Sequence, residues 1–162
     1  MRKTVGDFLV ERLAEWGVRR IFGYPGDGIN GVLGALNRAK GRIEFIQVRH
    51  EEMAAFMATA HAKFTGEIGV CLSTGGPGAT HLITGLYDAK LDHQPVLAIA
   101  GQAPRSSRGA HYQQELNLDR MFADAADFVQ EAETPSQVRH LIDRAFRIAL
   151  GNRAVSVLVL PN

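Results

Sequence analysis

The stretch Ile68-Gly69-Val70-Cys71-Leu72-Ser73-Thr74-Gly75-Gly76-Pro77-Gly78 leads from an apolar run through a glycine-rich loop into a helical pattern. The apolar run is typical of a buried strand, and a proline suits the first turn of the helix that follows it. A similar transition occurs earlier, where an apolar run at residues 43–48 is followed by Arg49-His50-Glu51-Glu52 and a second helical pattern. Strands that alternate with helices in this way predict parallel βαβ units.

The same alternation extends over the whole chain. The patterns predict helices at residues 8–16, 29–39, 51–64, 77–91 and 135–148, and strands at residues 20–24, 43–48, 68–72, 95–100, 127–129 and 155–160. The strands are continuous apolar runs, which is typical of a sheet that is covered on both faces. We therefore expect an α/β fold, a doubly wound and mainly parallel sheet of about six strands with helices on both faces, in a single domain over residues 1–162.

Composition excludes several classes of function. The chain has 162 residues, a formal net charge of +1 and one cysteine. It shows no basic patch typical of nucleic-acid binding, no apolar run long enough for a membrane span and no signal peptide. The single cysteine, Cys71, excludes an internal disulfide, and its place in a strand pattern predicts burial. These features favour a cytoplasmic protein that does not bind nucleic acid and has no membrane span.

The candidate ligand site lies where predicted strands end, because parallel sheets bind ligands at the carboxyl ends of their strands. Glu51 follows one strand and opens a helix, where a carboxylate is also favoured simply by the helix dipole. The helix behind it is almost uncharged, however, and a carboxylate that enters an apolar site is suited to proton transfer. The loop from Gly75 to Gly78 lets a ligand approach the backbone, although a tight strand-to-helix turn would explain it equally well.

Residues 26–31 offer an alternative, since Gly26-Asp27-Gly28-Ile29-Asn30-Gly31 matches the G-x-G-x-x-G pattern after a predicted strand. With Glu51 about twenty residues further on, this is the outline of a dinucleotide-binding fingerprint. The same stretch contains Gly-Asp-Gly, which begins a metal and diphosphate motif of thiamine enzymes. Residues 53–56 lack the asparagines which that motif requires.

The six histidines show no metal-ligand spacing, so the sequence predicts no metal site. His81 stands out because it lies on the first turn after the glycine loop. The helix at residues 51–64 is crowded with alanines. That composition suits either a central buried helix or a subunit interface, because a helix that is apolar all round must be covered all round.

At this point the chain resembles a known family, the N-terminal pyrimidine-binding domain of thiamine-diphosphate-dependent 2-oxo acid enzymes. It is most similar to pyruvate oxidases and quinone-linked pyruvate dehydrogenases, and next to acetolactate synthases. The stretches that carry the resemblance are Gly23-Tyr24-Pro25-Gly26-Asp27, Arg49-His50-Glu51-Glu52, Gly76-Pro77-Gly78-Ala79-Thr80-His81-Leu82, Gly85-Leu86-Tyr87-Asp88-Ala89, Gln94-Pro95-Val96-Leu97-Ala98-Ile99, Gln114-Glu115 and Val157-Leu158-Val159-Leu160-Pro161.

The resemblance implies a role for individual residues. Glu51 would hydrogen-bond the N1′ atom of the cofactor's aminopyrimidine and so favour removal of the thiazolium C2 proton, after which the cofactor acts as the electron sink for decarboxylation. Gln114 matches a family glutamine that reaches into the active site. The residues expected to contact the cofactor are Pro25, Gly26, Glu51, Thr74, Gly76, Pro77, Thr80 and His81.

Two positions bear on the substrate. His81 is what pyruvate oxidases carry where acetolactate synthases usually have asparagine, which favours a pyruvate oxidase-like enzyme that acts on a 2-oxo acid. Gln113 departs from the family pattern, because Phe-Gln-Glu is common there and this chain has Gln-Gln-Glu. That phenylalanine borders the reacting centre in relatives, so the substrate itself stays open.

The family enzymes continue for two more domains, which bind the diphosphate with Mg²⁺ and, in the oxidases, FAD. We expect this chain to be a fragment or subunit of such an enzyme and to be inactive alone. It would need the missing diphosphate-binding domain or a partner chain. A homodimer or a higher homo-oligomer is expected, because the family pocket lies between subunits.

Overall fold

A computed structural model describes residues 3–162, and the α/β architecture expected from the sequence is confirmed. The helices are α1 (Val5–Glu15), α2 (Asn30–Arg38), α3 (Glu51–Thr65), α4 (Pro77–Leu91), α5 (Leu118–Phe122) and α6 (Val138–Asn152). The strands are β1 (Arg20–Gly23), β2 (Glu44–Gln47), β3 (Gly69–Ser73), β4 (Val96–Gln102), β5 (Phe128–Glu131) and β6 (Val155–Pro161). Three short 3₁₀ turns connect them, at Asp27–Ile29, Arg105–Ser107 and Pro135–Gln137.

All six strands form one parallel sheet in the order β2-β1-β3-β4-β6-β5. Successive side chains alternate between its faces, as the period of a strand requires. In β3, Val70 and Leu72 join the apolar cluster beneath α1, α2 and α6, whereas Cys71 joins the cluster beneath α3, α4 and α5. The sheet is therefore covered on both faces, which explains why the central strands β3, β4 and β6 are almost entirely buried, whereas the edge strand β2 is only partly buried.

The strand order reverses direction between β1 and β3. The chain passes from β1 outward to β2, but from β3 in the opposite direction to β4. The loops that leave β1 and β3 therefore diverge and leave a crevice between them, which is the usual ligand position in an open α/β sheet. β2 lies next to β1, so the start of α3 reaches the same crevice.

Cys71 is buried as the sequence indicated, and burial raises the pKa of its thiol to about 12. Such a thiol carries no nucleophilic role at ordinary pH. Among the helices within residues 3–162, none has the length and apolar character needed to cross a membrane.

An ion pair ties α1 to α6 on the side of the sheet away from the start of α3. Arg12 Nε donates a hydrogen bond of 2.8 Å to Asp143 Oδ1, and Trp16 Nε1 donates one of 2.9 Å to the same oxygen. The Trp16 ring also stacks on Phe146, with ring centroids 4.9 Å apart. The hydrogen bond from Arg12, with a smaller contribution from Trp16, lowers the pKa of Asp143.

This ion pair predicts a loss of stability in acid. A carboxyl whose pKa is lower in the folded chain stabilises it fully above its unfolded pKa, about 3.9, and progressively less as the pH falls below that value. We expect the melting temperature of the unaltered chain to fall more steeply below about pH 4 than that of Asp143→Asn. Thermal unfolding followed by circular dichroism across this range measures both slopes, and equal slopes would contradict the prediction.

Candidate functional site

A cleft of about 460 Å³ lies at the reversal point of the sheet. It is enclosed by the loop after β1, the start of α3, the loop between β3 and α4, and the long segment after β4. Its lining is Tyr24, Pro25, Gly26, Asp27, Gly28, Glu51, Thr74, Gly75, Pro77, Gly78, His81, Gln102, Ala103, Pro104, Tyr112, Gln113, Gln114 and Asn162. The strand ends that the sequence singled out therefore meet in one place.

Glu51 is the only acidic residue of the cleft that is buried, with 8 % of its surface exposed. It is the first residue of α3, and the preceding His50 caps that helix by accepting a hydrogen bond from the Glu52 N–H at Nδ1. The helix dipole thus favours the carboxylate while the apolar sheet shields it from water. Glu51 is thus both a helix-start carboxylate and a residue that lines the cleft.

One carboxylate oxygen of Glu51 is bound by α4. His81 Nδ1 lies 2.9 Å from Glu51 Oε2. In the tautomer that carries its proton on Nδ1, the imidazole donates this hydrogen bond, since an ionised carboxylate can only accept. The His81 side chain is 41 % exposed, whereas that of Glu51 is 10 % exposed. His81 therefore links a shielded carboxylate to the solvent.

The other oxygen, Oε1, faces Gly78. A Cβ atom added to Gly78 would lie 3.2 Å from Oε1 and 2.8 Å from Thr74 Cγ2. Among residues 3–162, Oε1 has no hydrogen-bond partner. The absence of a side chain at Gly78 therefore leaves room beside a carboxylate oxygen that is ready to bind a ligand.

The loop after β1 packs against Thr74. The Gly28 N–H donates a hydrogen bond of 3.1 Å to Thr74 Oγ1, and a Cβ atom on Gly26 would lie only 2.6 Å from Thr74 Cβ. Glycine is needed at residue 26 for contact between the two loops. The contacts of this glycine stretch are therefore made within the protein. A 3₁₀ turn at Asp27–Ile29 separates the stretch from the start of α2.

The segment after β4 forms the outer wall of the cleft. Its backbone turns at Gln114, which has a positive φ of 66° and lies against Gly76, where a Cβ atom would be 2.6 Å from Gln114 Cβ. Glu115 stabilises this turn by accepting hydrogen bonds from the N–H groups of Gly109 and Tyr112. The buried side chain of Gln102 donates from Nε2 to the Leu116 carbonyl oxygen at 2.9 Å, which holds the two ends of the segment together.

Most of the predicted site residues line this one cleft, but two do not. Pro25, Gly26, Glu51, Thr74, Pro77, His81 and Gln114 all lie on its surface. Gly76 is buried behind Gln114 with a positive φ of 58°, so it shapes the loop without lining the cleft. Thr80 faces away and donates its hydroxyl to the Pro77 carbonyl oxygen at 2.8 Å, as a first-turn helix residue.

Sequence reasoning missed His50. Its imidazole packs against that of His81 in a tilted arrangement, with ring centroids 4.2 Å apart and an angle of 31° between the ring planes. His50, Glu51 and His81 each place a ligand-type atom within 4.8 Å of the others. Spacing along the chain could not reveal this group, because His81 comes from a different helix. The only available signal was the position of His50, directly before Glu51.

Comparison with known proteins shows to which family the chain belongs. The family described as "Thiamine pyrophosphate enzyme, N-terminal TPP binding domain" matches residues 3–121. A Bacillus subtilis protein named "Putative thiamine pyrophosphate-containing protein YdaP" is 48 % identical over 96 % of this chain. A pyruvate oxidase of Lactiplantibacillus plantarum is 44 % identical over 96 % of the chain, and an acetolactate synthase of Arthrospira platensis is 40 % identical over 98 %.

The chain spans only about a quarter of the length of these relatives, 27 %, 26 % and 28 % respectively. The resemblance noted from the sequence is confirmed. The chain belongs to the thiamine pyrophosphate enzymes, as their N-terminal TPP-binding domain.

Proposed function

We propose that this chain supplies the aminopyrimidine-binding half of an enzyme that decarboxylates a pyruvate-like 2-oxo acid with thiamine diphosphate. The observation that carries the proposal is the buried carboxylate of Glu51, which has one oxygen held by His81 and the other open to the cleft. A shielded carboxyl group that shares a proton with a ring nitrogen is suited to general acid–base work.

The residues present fit an aminopyrimidine. The ring is flat, and the space beside Glu51 Oε1 exists because Gly78 has no side chain. Pro77 and Thr74 also line the cleft, and Gln114, which packs against Gly76 of the same loop, carries a side-chain amide. When bound, the cofactor would supply the electron sink for decarboxylation.

The chain's own residues would then act on one proton. Glu51 would hold it between Oε1 and the ring nitrogen, in a position that the protein shields from water. His81 would fix the carboxylate through Oε2 and link it to the solvent, since its imidazole is partly exposed. Gln114 would contact the substrate side of the cleft, because its turn over Gly76 directs the segment there.

A pyruvate oxidase-like reaction is our preferred assignment, and carboligation of the acetolactate synthase type is the alternative. His81 favours the first, as it matches the residue that the oxidases carry at this position. Gln113 lines the cleft beside Gln114 in place of the more common phenylalanine. It adds a polar amide to that wall of the cleft. The substrate preference is therefore best tested with several 2-oxo acids.

The remaining parts of the enzyme are proposed to come from other domains or a partner chain. These would bind the diphosphate with Mg²⁺ and, in an oxidase, FAD. An apolar surface on α3 and α4 supports assembly as a homodimer or larger oligomer, because Met53, Phe56, Phe64 and Leu91 are all exposed there. The cytoplasmic location stays a prediction.

A dinucleotide-binding module is the competing function, and it is disfavoured by how residues 26–31 are used. The Gly28 N–H is engaged by Thr74, and Gly26 lies against the Thr74 side chain, so this loop leaves no cradle for a pyrophosphate.

Ligand titration distinguishes the two functions. We expect 4-amino-5-hydroxymethyl-2-methylpyrimidine, the pyrimidine part of the cofactor, to shift the backbone amide signals of Glu51 and Gly78 in heteronuclear NMR. We expect NADH not to bind with micromolar affinity. Glu51→Gln should weaken the pyrimidine response, whereas Glu52→Gln, a partly exposed neighbour, should not. Micromolar binding of NADH with no response to the pyrimidine would overturn the proposed function.

A further inference from the structure

The group formed by His50, Glu51 and His81 contains one imidazole more than proton transfer by Glu51 requires. A carboxylate needs one partner to hold it, and His81 provides that bond at 2.9 Å. The second imidazole, His50, packs against the first. Two imidazoles and one carboxylate are also a donor set that proteins use for zinc.

The spacing of these three groups suits one metal ion. With metal–ligand bonds of about 2.0–2.1 Å, two ligands of a tetrahedral zinc site lie about 3.4 Å apart. The three candidate ligand atoms lie within 4.8 Å of one another, and the contact from His81 to Glu51 is already 2.9 Å. Rotation of the two imidazoles would bring all three into range, and neither ring is buried. If His50 binds the ion through Nδ1, that atom gives up the hydrogen bond it accepts from the Glu52 N–H.

Burial favours the carboxylate as the fixed ligand. Glu51 is held at the start of α3 and is 8 % exposed, so its position is set by the fold before any ion arrives. Glu51 and His81 line the cleft and His50 is exposed, which leaves access for water as a fourth ligand. The ion would replace the hydrogen bond between His81 Nδ1 and Glu51, because a metal-binding imidazole nitrogen must be deprotonated.

We propose that His50, Glu51 and His81 form a binding site for a single divalent transition-metal ion of the Zn²⁺ type. This site differs in its ligands from a diphosphate-bound Mg²⁺, which prefers oxygen donors. Binding there occupies the carboxylate, so the ion would block Glu51 from acting on an aminopyrimidine. Only this inhibitory consequence rests on the proposed function.

Calorimetric titration of the chain with ZnCl₂ tests the site without any cofactor. We expect one ion per chain, and visible d–d absorption of tetrahedral type when Co²⁺ is used as the probe. His50→Ala and His81→Gln should each weaken Zn²⁺ binding at least about tenfold. His140→Ala, at an exposed position on α6, is the matched control and should leave binding unchanged.

Zn²⁺ binding that persists in both His50→Ala and His81→Gln would overturn the proposal, as would Co²⁺ spectra of octahedral type. Circular dichroism of each variant checks that the fold is kept. Adding the pyrimidine compound then separates the two ideas. If the pyrimidine compound displaces Zn²⁺, the result supports both the metal site and the proposed function. If the pyrimidine binds equally well with and without zinc, the inhibitory consequence is overturned. Zinc binding with no pyrimidine binding leaves the metal site standing and counts against the proposed function.

Discussion

Glu51→Gln should abolish most turnover of the complete enzyme while the fold stays intact. Glutamine has nearly the same shape and fills the same space beside Gly78, but its amide cannot exchange a proton with a ring nitrogen. Loss of a general acid–base group costs about 10²–10⁴-fold in rate, and we expect a decrease in kcat of this size. The measurement is steady-state decarboxylation of pyruvate by the full-length protein supplied with thiamine diphosphate and Mg²⁺.

The control for this experiment is Glu52→Gln. It removes the same charge one residue later in the same helix turn, at a side chain that lies outside the lining of the cleft. We expect that variant to keep near-normal kcat. Unaltered turnover in Glu51→Gln would refute the role proposed for Glu51, and a parallel loss in both variants would trace the effect to the charge at the helix start.

The general position of the site could be predicted from the sequence, since it follows from the alternation of strands and helices. Glu51 and Thr74 each follow an apolar strand, and parallel strands place their carboxyl ends at one edge of a sheet. The choice among ligands could not be made in this way. Residues 26–31 match a dinucleotide fingerprint letter by letter, and only the contact of Gly26 and Gly28 with Thr74 shows what those glycines do.

Contacts between segments that are distant along the chain could not be predicted from the sequence either. The packing of His50 against His81 depends on how closely α3 and α4 approach, and no periodicity encodes a distance between two helices. A connection as long as residues 101–118 is usually functional or disordered. The structure shows a folded segment held by Gln102 and Glu115, whose polar side chains gave no sign of their partners.

The close approach of α3 to the sheet is tested by Gly69→Ala, for which we expect the largest loss of stability. A Cβ atom on Gly69 would lie 2.0 Å from the Ala58 carbonyl oxygen and 2.6 Å from its carbonyl carbon. Those atoms belong to the backbone in the middle of α3, so they can move only if the helix moves. Overpacking typically lowers the free energy of unfolding by about 1–3 kcal/mol. Because the contact here is with rigid backbone, we expect Gly69→Ala to lose about 3 kcal/mol or more. Urea unfolding measures the change in free energy.

Gly151→Ala is the matched control, because a Cβ atom there meets no other atom within 4 Å in an exposed turn of α6. Alanine is the better helix former, so this variant should lose no stability and gain up to about 1 kcal/mol. An unchanged free energy of unfolding in Gly69→Ala would mean that the Ala58 backbone of α3 lies further from Gly69 of β3 than in this structure. Glu51 begins α3, so its distance from Gly78 and His81 would then change as well. The stability of this buried glycine contact is therefore an independent test of the site geometry, which needs neither cofactor nor substrate.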